Sequence, residues 1–209
     1  TFSKFKITSL LSENNDLMNR ERVLNEILNS EIKNETFITT TGKTSREFYE
    51  LRKKNNQIFN KDFLTVGSMG HSSQIALGIA MFNKSDIYCI DGDGSVIMHM
   101  GSLAINGTSK VKNFKHIILN NGSHESVGGQ PTVGKKINFL GIAKNCGYKN
   151  FKRVLSFSEL VSGIKWLKLN NGPILLEIII KNGSRKDLGR PDESPIENKI
   201  KFMKNIKNE

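Results

Sequence analysis

The sequence predicts an α/β fold: a doubly wound, mostly parallel sheet of about five or six strands with helices on both faces. Three observations carry this expectation. Residues 87–90, 116–119 and 173–180 are short, Ile-rich runs, too short for independent helices, and they read as strands buried on both faces. Segments with helical apolar spacing alternate with them, as parallel crossovers require. The first two runs also stop at polar, glycine-bearing turns, and the carboxyl ends of parallel strands are where such sheets bind ligands.

Residues 1–19 are polar and weakly periodic and read as a linker or lead-in arm; residues 20–209 form one domain that includes the tail at 181–209. Residues 20–32 place Val23, Leu24, Ile27 and Leu28 on one helical stripe. Residues 36–40 are a short strand ending at Thr41 and Gly42, and Thr44 with Glu47 predicts a capping box for the next helix. The word GKT there is not a phosphate loop, because the first required glycine falls at Phe37. Residues 51–61 read as polar loop and 63–66 as a strand leading into Gly67-Ser68-Met69-Gly70. The helix at 72–82 carries Ala76, Gly78 and Ala80 for close packing.

The central stretch runs from the strand at 87 through Gly92-Asp93-Gly94-Ser95 and a single buried helix at 96–105. It ends with a strand closing on Asn120-Asn121-Gly122-Ser123-His124. Beyond it, residues 130–136 read as loop and 138–146 as a helix closed by Gly147. A strand at 151–155, a helix at 158–168 and the strand at 173–180 follow. The last helix starts at Ser194-Pro195-Ile196-Glu197, a capping box with Pro at its first position.

At 209 residues the chain can bury a full core. The net charge of +11 raises nucleic acid as a partner, but the lysines are scattered and no basic stripe interleaved with aromatics is present, so nucleic-acid binding is not expected. The basic excess suits anionic ligands instead. Cys89 and Cys146 form no CxxC pair and read as buried small hydrophobes, which fits a reducing, cytoplasmic setting. No apolar run reaches the roughly 18 residues of a membrane span, and no signal peptide is visible, so no membrane partner is expected. The chain begins at Thr1 without Met, which suggests a processed piece or an excerpt of something longer.

Asp93 and Asn121 stand at the ends of neighbouring strands as hard oxygen donors. Magnesium is commonly held by one or two such side chains, a carbonyl and substrate phosphates. A backbone carbonyl just after Asn121, taken as that of Ser123, would complete the protein's share. Glycines nearby let amides approach a phosphate, and a helix from Ser95 would point its positive end at it. The candidate metal ligands are therefore Asp93, Asn121 and Ser123.

The pattern GDG, then 25 residues, then NN resembles the cofactor signature of thiamine-diphosphate enzymes. The words TTGKTSRE, FLTVGSMGHSS, GDGSVIMHMGSLA, NNGSHESVGGQPTV and DLGRPDESPIENK are similar to phosphonopyruvate decarboxylases within that family, over residues 39–204. The resemblance implies thiamine diphosphate and magnesium as cofactors. It implies cofactor contacts from Thr41, Gly42, Gly67, Ser68, Met69, Gly92, Asp93, Gly94, Ser95, Asn121 and Ser123, with Lys43 a further candidate. Gly67 and Met69 would hold the aminopyrimidine edge through their backbone, and the Met69 side chain would wedge the bent cofactor. The activating glutamate lies on a pyrimidine-binding domain absent from this chain, so a partner domain or subunit, self-association, and an inactive isolated chain are implied.

His71 and His124 flank the turns implied to face the cofactor and are the candidate catalytic groups for proton transfer. His99 and His116 read as structural. Glu125 and Gln130 are candidates for the substrate pocket, and Arg185, Lys186 and Arg190 for a phosphonate clamp. The implied reaction is decarboxylation of a small 2-oxo acid bearing a phosphonate, 3-phosphonopyruvate. The alternatives are sulfopyruvate as substrate, or a non-catalytic nucleotide-binding α/β domain.

Overall fold

The computed structural model describes residues 17–206. Its helices are α1 (Arg20–Asn29), α2 (Lys43–Lys54), α3 (Ser72–Phe82), α4 (Asp93–Met98), α5 (Ser102–Thr108), α6 (Phe139–Asn145), α7 (Phe157–Leu169) and α8 (Pro195–Ile206). Its strands are β1 (Thr36–Thr39), β2 (Asp62–Leu64), β3 (Ile87–Gly92), β4 (Phe114–Asn120), β5 (Ser123–His124), β6 (Gln130–Pro131), β7 (Asn150–Val154) and β8 (Ile174–Ile179). Six of them form a parallel sheet in the order β2-β1-β3-β4-β8-β7, as the Ile-rich runs predict.

Side chains of successive strand residues point to opposite faces. Tyr88 and Ile90 of β3 join one core layer with α1, α2 and α7, while Ile87 and Cys89 join the other with α3, α5 and α6. Helices thus cover both faces. The chain runs from β1 outward to β2, then crosses back to β3 on the other side of β1. That reversal opens a crevice beyond the carboxyl ends of β1 and β3, where ligands bind in sheets of this kind.

Several local expectations are corrected. Residues 51–54 are the last turn of α2 rather than loop, because Leu51 and Arg52 are buried on the same face as Phe48. Gly42 precedes α2 with φ 97° and no side-chain cap, so Thr44 lies inside the first turn and Glu47 is drawn inward to Arg20, replacing the expected capping box. The single helix at 96–105 is two, α4 and α5, broken at His99, Met100 and Gly101. His99 turns aside there to set its ring against His71, with centroids 4.5 Å apart, and against Gly70, where a Cβ would come within 2.3 Å of it. Within the loop at 130–136, Gln130 and Pro131 pair with β5. The arm at 1–19 lies almost wholly outside the described residues; at its end Met18 bridges to Ile180 and Asn19 caps α1.

Other expectations hold. Ser194 and Glu197 exchange hydrogen bonds at the start of α8, and Gly147 follows α6 with φ 94°. Cys89 is buried as expected, and burial beside Asp91 pushes its thiol up; Cys146, expected buried too, is only half-buried where it follows α6. His116 is buried in the core, its Nδ1 3.0 Å from the Tyr148 hydroxyl. Among the described residues no helix is long and apolar enough to cross a membrane.

Candidate functional site

The crevice contains a cavity of about 200 Å³. Three strand ends build it: Thr40, Thr41 and Gly42 after β1, Gly92 to Ser95 at the junction of β3 and α4, and Asn121 after β4. The parallel register pairs Gly92 with Leu119, so Asp93 and Asn121 leave the sheet side by side. The next loop adds Ser123, His124, Glu125 and Ser126, and Met69 enters from the turn before α3.

Asp93 is only 1% exposed. Its carboxylate accepts from the Thr132 hydroxyl and from backbone amides of Gly94 and Asn121, yet burial still holds it above the ordinary carboxylate range. No protein cation balances it in that set. A buried carboxylate in this state is stabilised by a nearby cation. A Cβ on Gly134 would come within 2.3 Å of its Oδ2, so the loop after β6 is packed tightly on the carboxylate.

The two asparagines of the NN pair point to different jobs. Asn120 donates to the Gly134 carbonyl at 2.9 Å and to buried Glu177 at 2.8 Å, which fixes the loop that packs on Asp93. Asn121 lines the cavity, and its Oδ1 accepts from the Ser123 amide at 3.0 Å. Asp93, Asn121 and Ser123 are therefore together, as hard oxygen chemistry for a divalent cation requires. This donor set, with an unbalanced buried carboxylate, fits magnesium.

Helix α2 opens on the same cavity through Gly42, which has no side chain of its own to cap it, and its first amide, that of Lys43, donates to Ser126 Oγ at 3.2 Å. The first amides of such a helix lack intrahelical partners and favour an anion. Helix α4 also begins there uncapped but is only six residues long, so the longer α2 carries the larger dipole. Lys43 lines the cavity as well.

Gly67, Ser68 and His71 do not line this cavity; they lie in the turn beside it. Gly67 (φ 69°), Ser68 (φ 48°) and Gly70 (φ 89°) adopt left-handed backbone. The turn is tied down at two points: the Gly67 amide donates to Thr41 Oγ1 at 3.1 Å, and the Gly70 amide to Ser95 Oγ at 3.0 Å. Ser95 Oγ also accepts from Thr40 Oγ1 at 3.0 Å, so one hydroxyl joins all three turns. His71 is exposed, its Nδ1 3.2 Å from the Ser68 carbonyl oxygen. His124 lies inside the cavity with its ring against Gly94, where a Cβ would come within 2.4 Å.

Other candidates are separated from the cavity or already engaged. Glu125 lines it, but its carboxylate accepts from Arg20 and from the Gly183 amide. Gln130 lies outside, its amide against Gly128. Arg185 is paired with Glu21, Glu50 and Asp187, and neither Lys186 nor Arg190 reaches this cavity. Sequence reasoning missed Arg20, Ser126, Thr132 and Gly134. The last two sit in a Pro-Thr-Val-Gly turn whose signal says loop and nothing about what the loop packs on.

The family described as thiamine pyrophosphate enzyme, C-terminal TPP binding domain, matches residues 38–178. The phosphonopyruvate decarboxylase of Streptomyces viridochromogenes is 36% identical over 160 residues, covering 77% of this chain and 39% of that protein. The sulfopyruvate decarboxylase subunit beta of Methanococcus maripaludis is 30% identical over 184 residues, covering 87% of this chain and 95% of that subunit. The chain thus spans about two fifths of the first relative and nearly all of the second. A solved thiamine diphosphate-dependent 4-hydroxybenzoylformate decarboxylase of Rhodococcus jostii shares the fold, with a TM-score of 0.62 and 16% identity over 88% of this chain and 36% of that one. Matched over most of its parallel sheet and across the crevice holding Asp93 and Asn121, the chain belongs to the thiamine pyrophosphate enzyme family, as its C-terminal TPP-binding domain.

Proposed function

We propose that this chain supplies the diphosphate-binding half of a decarboxylase active site acting on a 2-oxo acid with an anionic tail, 3-phosphonopyruvate first. The observation that carries the reading is the cavity at the switch point, where buried Asp93, Asn121 and the N-terminus of α2 meet. Asp93, Asn121 and Ser123 would hold magnesium. Amides at Gly42 and Ser95 would hold the diphosphate, and residues 67–69 would hold the aminopyrimidine. Thiamine diphosphate, when bound, supplies the electron sink for loss of carbon dioxide. The chain's own part is to bind, orient and neutralise. His124, inside the cavity, is the better placed of the two histidines to move a proton, and His71 stands at the pyrimidine turn.

A pyrimidine-binding domain or subunit would complete the site. Exposed apolar side chains on α3 and α5 support such an assembly: Phe82 is 92% exposed, and Met81 and Ile105 are exposed with it. Phosphonopyruvate is supported by the higher identity to its decarboxylase. The second reading, sulfopyruvate, is supported by the beta subunit matched over 95% of its length.

The test combines the chain with a pyrimidine-binding half, thiamine diphosphate and magnesium, and follows carbon dioxide release from both acids. Turnover of phosphonopyruvate with the partner and none without it is expected. Turnover of sulfopyruvate alone selects the second reading, and turnover by the purified chain alone contradicts the half-site.

A further inference from the structure

A second cavity, of about 420 Å³, adjoins the first and shares Thr41, Gly42 and Ser126 with it. Its far wall is Thr65 and Val66, which run directly into the turn at residues 67–70, and Arg190 stands on its rim. The space therefore lies between the turn proposed for the diphosphate and the turn proposed for the pyrimidine. A substrate reaching the cofactor's reactive centre would extend into such a space.

The segment carrying Arg190 is fastened from several sides. Arg46 donates to the carbonyls of Leu188 and Gly189, the Gly189 amide donates to Glu50 at 2.6 Å, and Arg185 is paired with Glu21 and Glu50. Arg46 and Arg185 are thus committed to the chain itself. Arg190 is different: it is exposed and has no protein partner among the described residues. Glu193, the carboxylate in this cavity's wall, is held by Lys201 at 2.5 Å and Asn198 at 3.0 Å, so it leaves the Arg190 charge unneutralised. Thr41 Oγ1 accepts from the Gly67 amide and keeps its own proton to donate.

We propose that this side cavity binds the anionic tail of the 2-oxo acid, a phosphonate or sulfonate, with Arg190 as its forked donor and Thr41 as a second donor. A guanidinium fits two oxygens of such a group at once. The proposal rests on the reading of the first cavity as the cofactor site, and it assigns recognition of the tail to a place apart from the diphosphate.

The test is calorimetric titration of phosphonoacetate, sulfoacetate and acetate into the full chain loaded with thiamine diphosphate and magnesium. Wild type is compared with Arg190→Met, Arg190→Lys and, as a charge control on the exposed face of α8, Lys199→Met. Wild type is expected to bind phosphonoacetate or sulfoacetate and not acetate, the tighter of the two naming the tail. Arg190→Met should weaken that binding on the order of tenfold to a hundredfold, the size of a charged hydrogen bond. Arg190→Lys should fall between, and Lys199→Met should match wild type, with thiamine-diphosphate affinity unchanged in all. Tail binding that survives Arg190→Met, or its absence from loaded wild type, overturns the proposal. A wild-type chain that takes up no thiamine diphosphate contradicts the cofactor site itself, and the tail site with it.

Discussion

Arg20 Nη1 lies 2.9 Å from Glu125 Oε2, while the same guanidinium holds both oxygens of Glu47 at 2.9 and 3.0 Å. One buried arginine thus joins α1, α2 and the loop after β4 at the floor of the cavity. Removing it strands two buried carboxylates, a change that costs about 3–5 kcal/mol. Arg20→Met is therefore expected to lower the free energy of unfolding measured in urea by that amount, whereas Glu125→Gln, which keeps an acceptor for Arg20, should cost less than half of it.

Ser95 ties the turn at residues 67–70 to β1 and α4. Ser95→Ala leaves the buried Gly70 amide without its acceptor, worth about 1–3 kcal/mol. The Gly70 amide should exchange with deuterium faster in the variant, and thiamine-diphosphate affinity should fall with it.

Gly134 touches the Asp93 carboxylate so closely that a Cβ would come within 2.3 Å of Oδ2 and 2.7 Å of Cβ. Gly134→Ala must displace Asp93 or the loop, at about 1–3 kcal/mol of overpacking. Magnesium-dependent binding of thiamine diphosphate should weaken more than tenfold, a loss larger than the change in stability accounts for.

Burial is the chief cause that raises the Asp93 carboxyl, opposed by the Thr132 hydroxyl and nearby amides. A carboxyl raised in the folded state contributes stability that is fully present below its unfolded pKa, about 3.9. That contribution is lost as pH rises through the folded value. Without a divalent cation, stability should therefore fall with rising pH across this window. With magnesium and thiamine diphosphate it should rise instead, since the cation binds the ionised form. Thermal denaturation between pH 4 and about pH 8 checks both slopes, and Asp93→Asn should flatten them.

The sheet and the pairing of Asp93 with Asn121 were legible because each is written locally. Short apolar runs specify β3, β4 and β8, and the residues directly after β3 and β4 carry the oxygen donors, so a parallel register suffices to bring Asp93 and Asn121 together. Arg20 was not legible, because its partners lie 27 and 105 residues away and a helical stripe gives no sign of them. Strands β5 and β6 have two residues each, too few for any period to register. The central helix reads as continuous in apolar pattern; what breaks it is the packing of His99 on Gly70 and His71, a tertiary contact. Lone basic residues in the tail also look alike in sequence, yet Arg185 braces the chain while Arg190 faces a cavity.

Calorimetric titration of thiamine diphosphate into the purified chain, with magnesium and with chelator, tests the central claim most directly. The account predicts saturable binding that requires magnesium and is lost in Asp93→Asn and Asn121→Ala, both variants remaining folded by circular dichroism. Binding that is indifferent to magnesium, or a chain that takes up ADP or FMN in place of thiamine diphosphate, would contradict it.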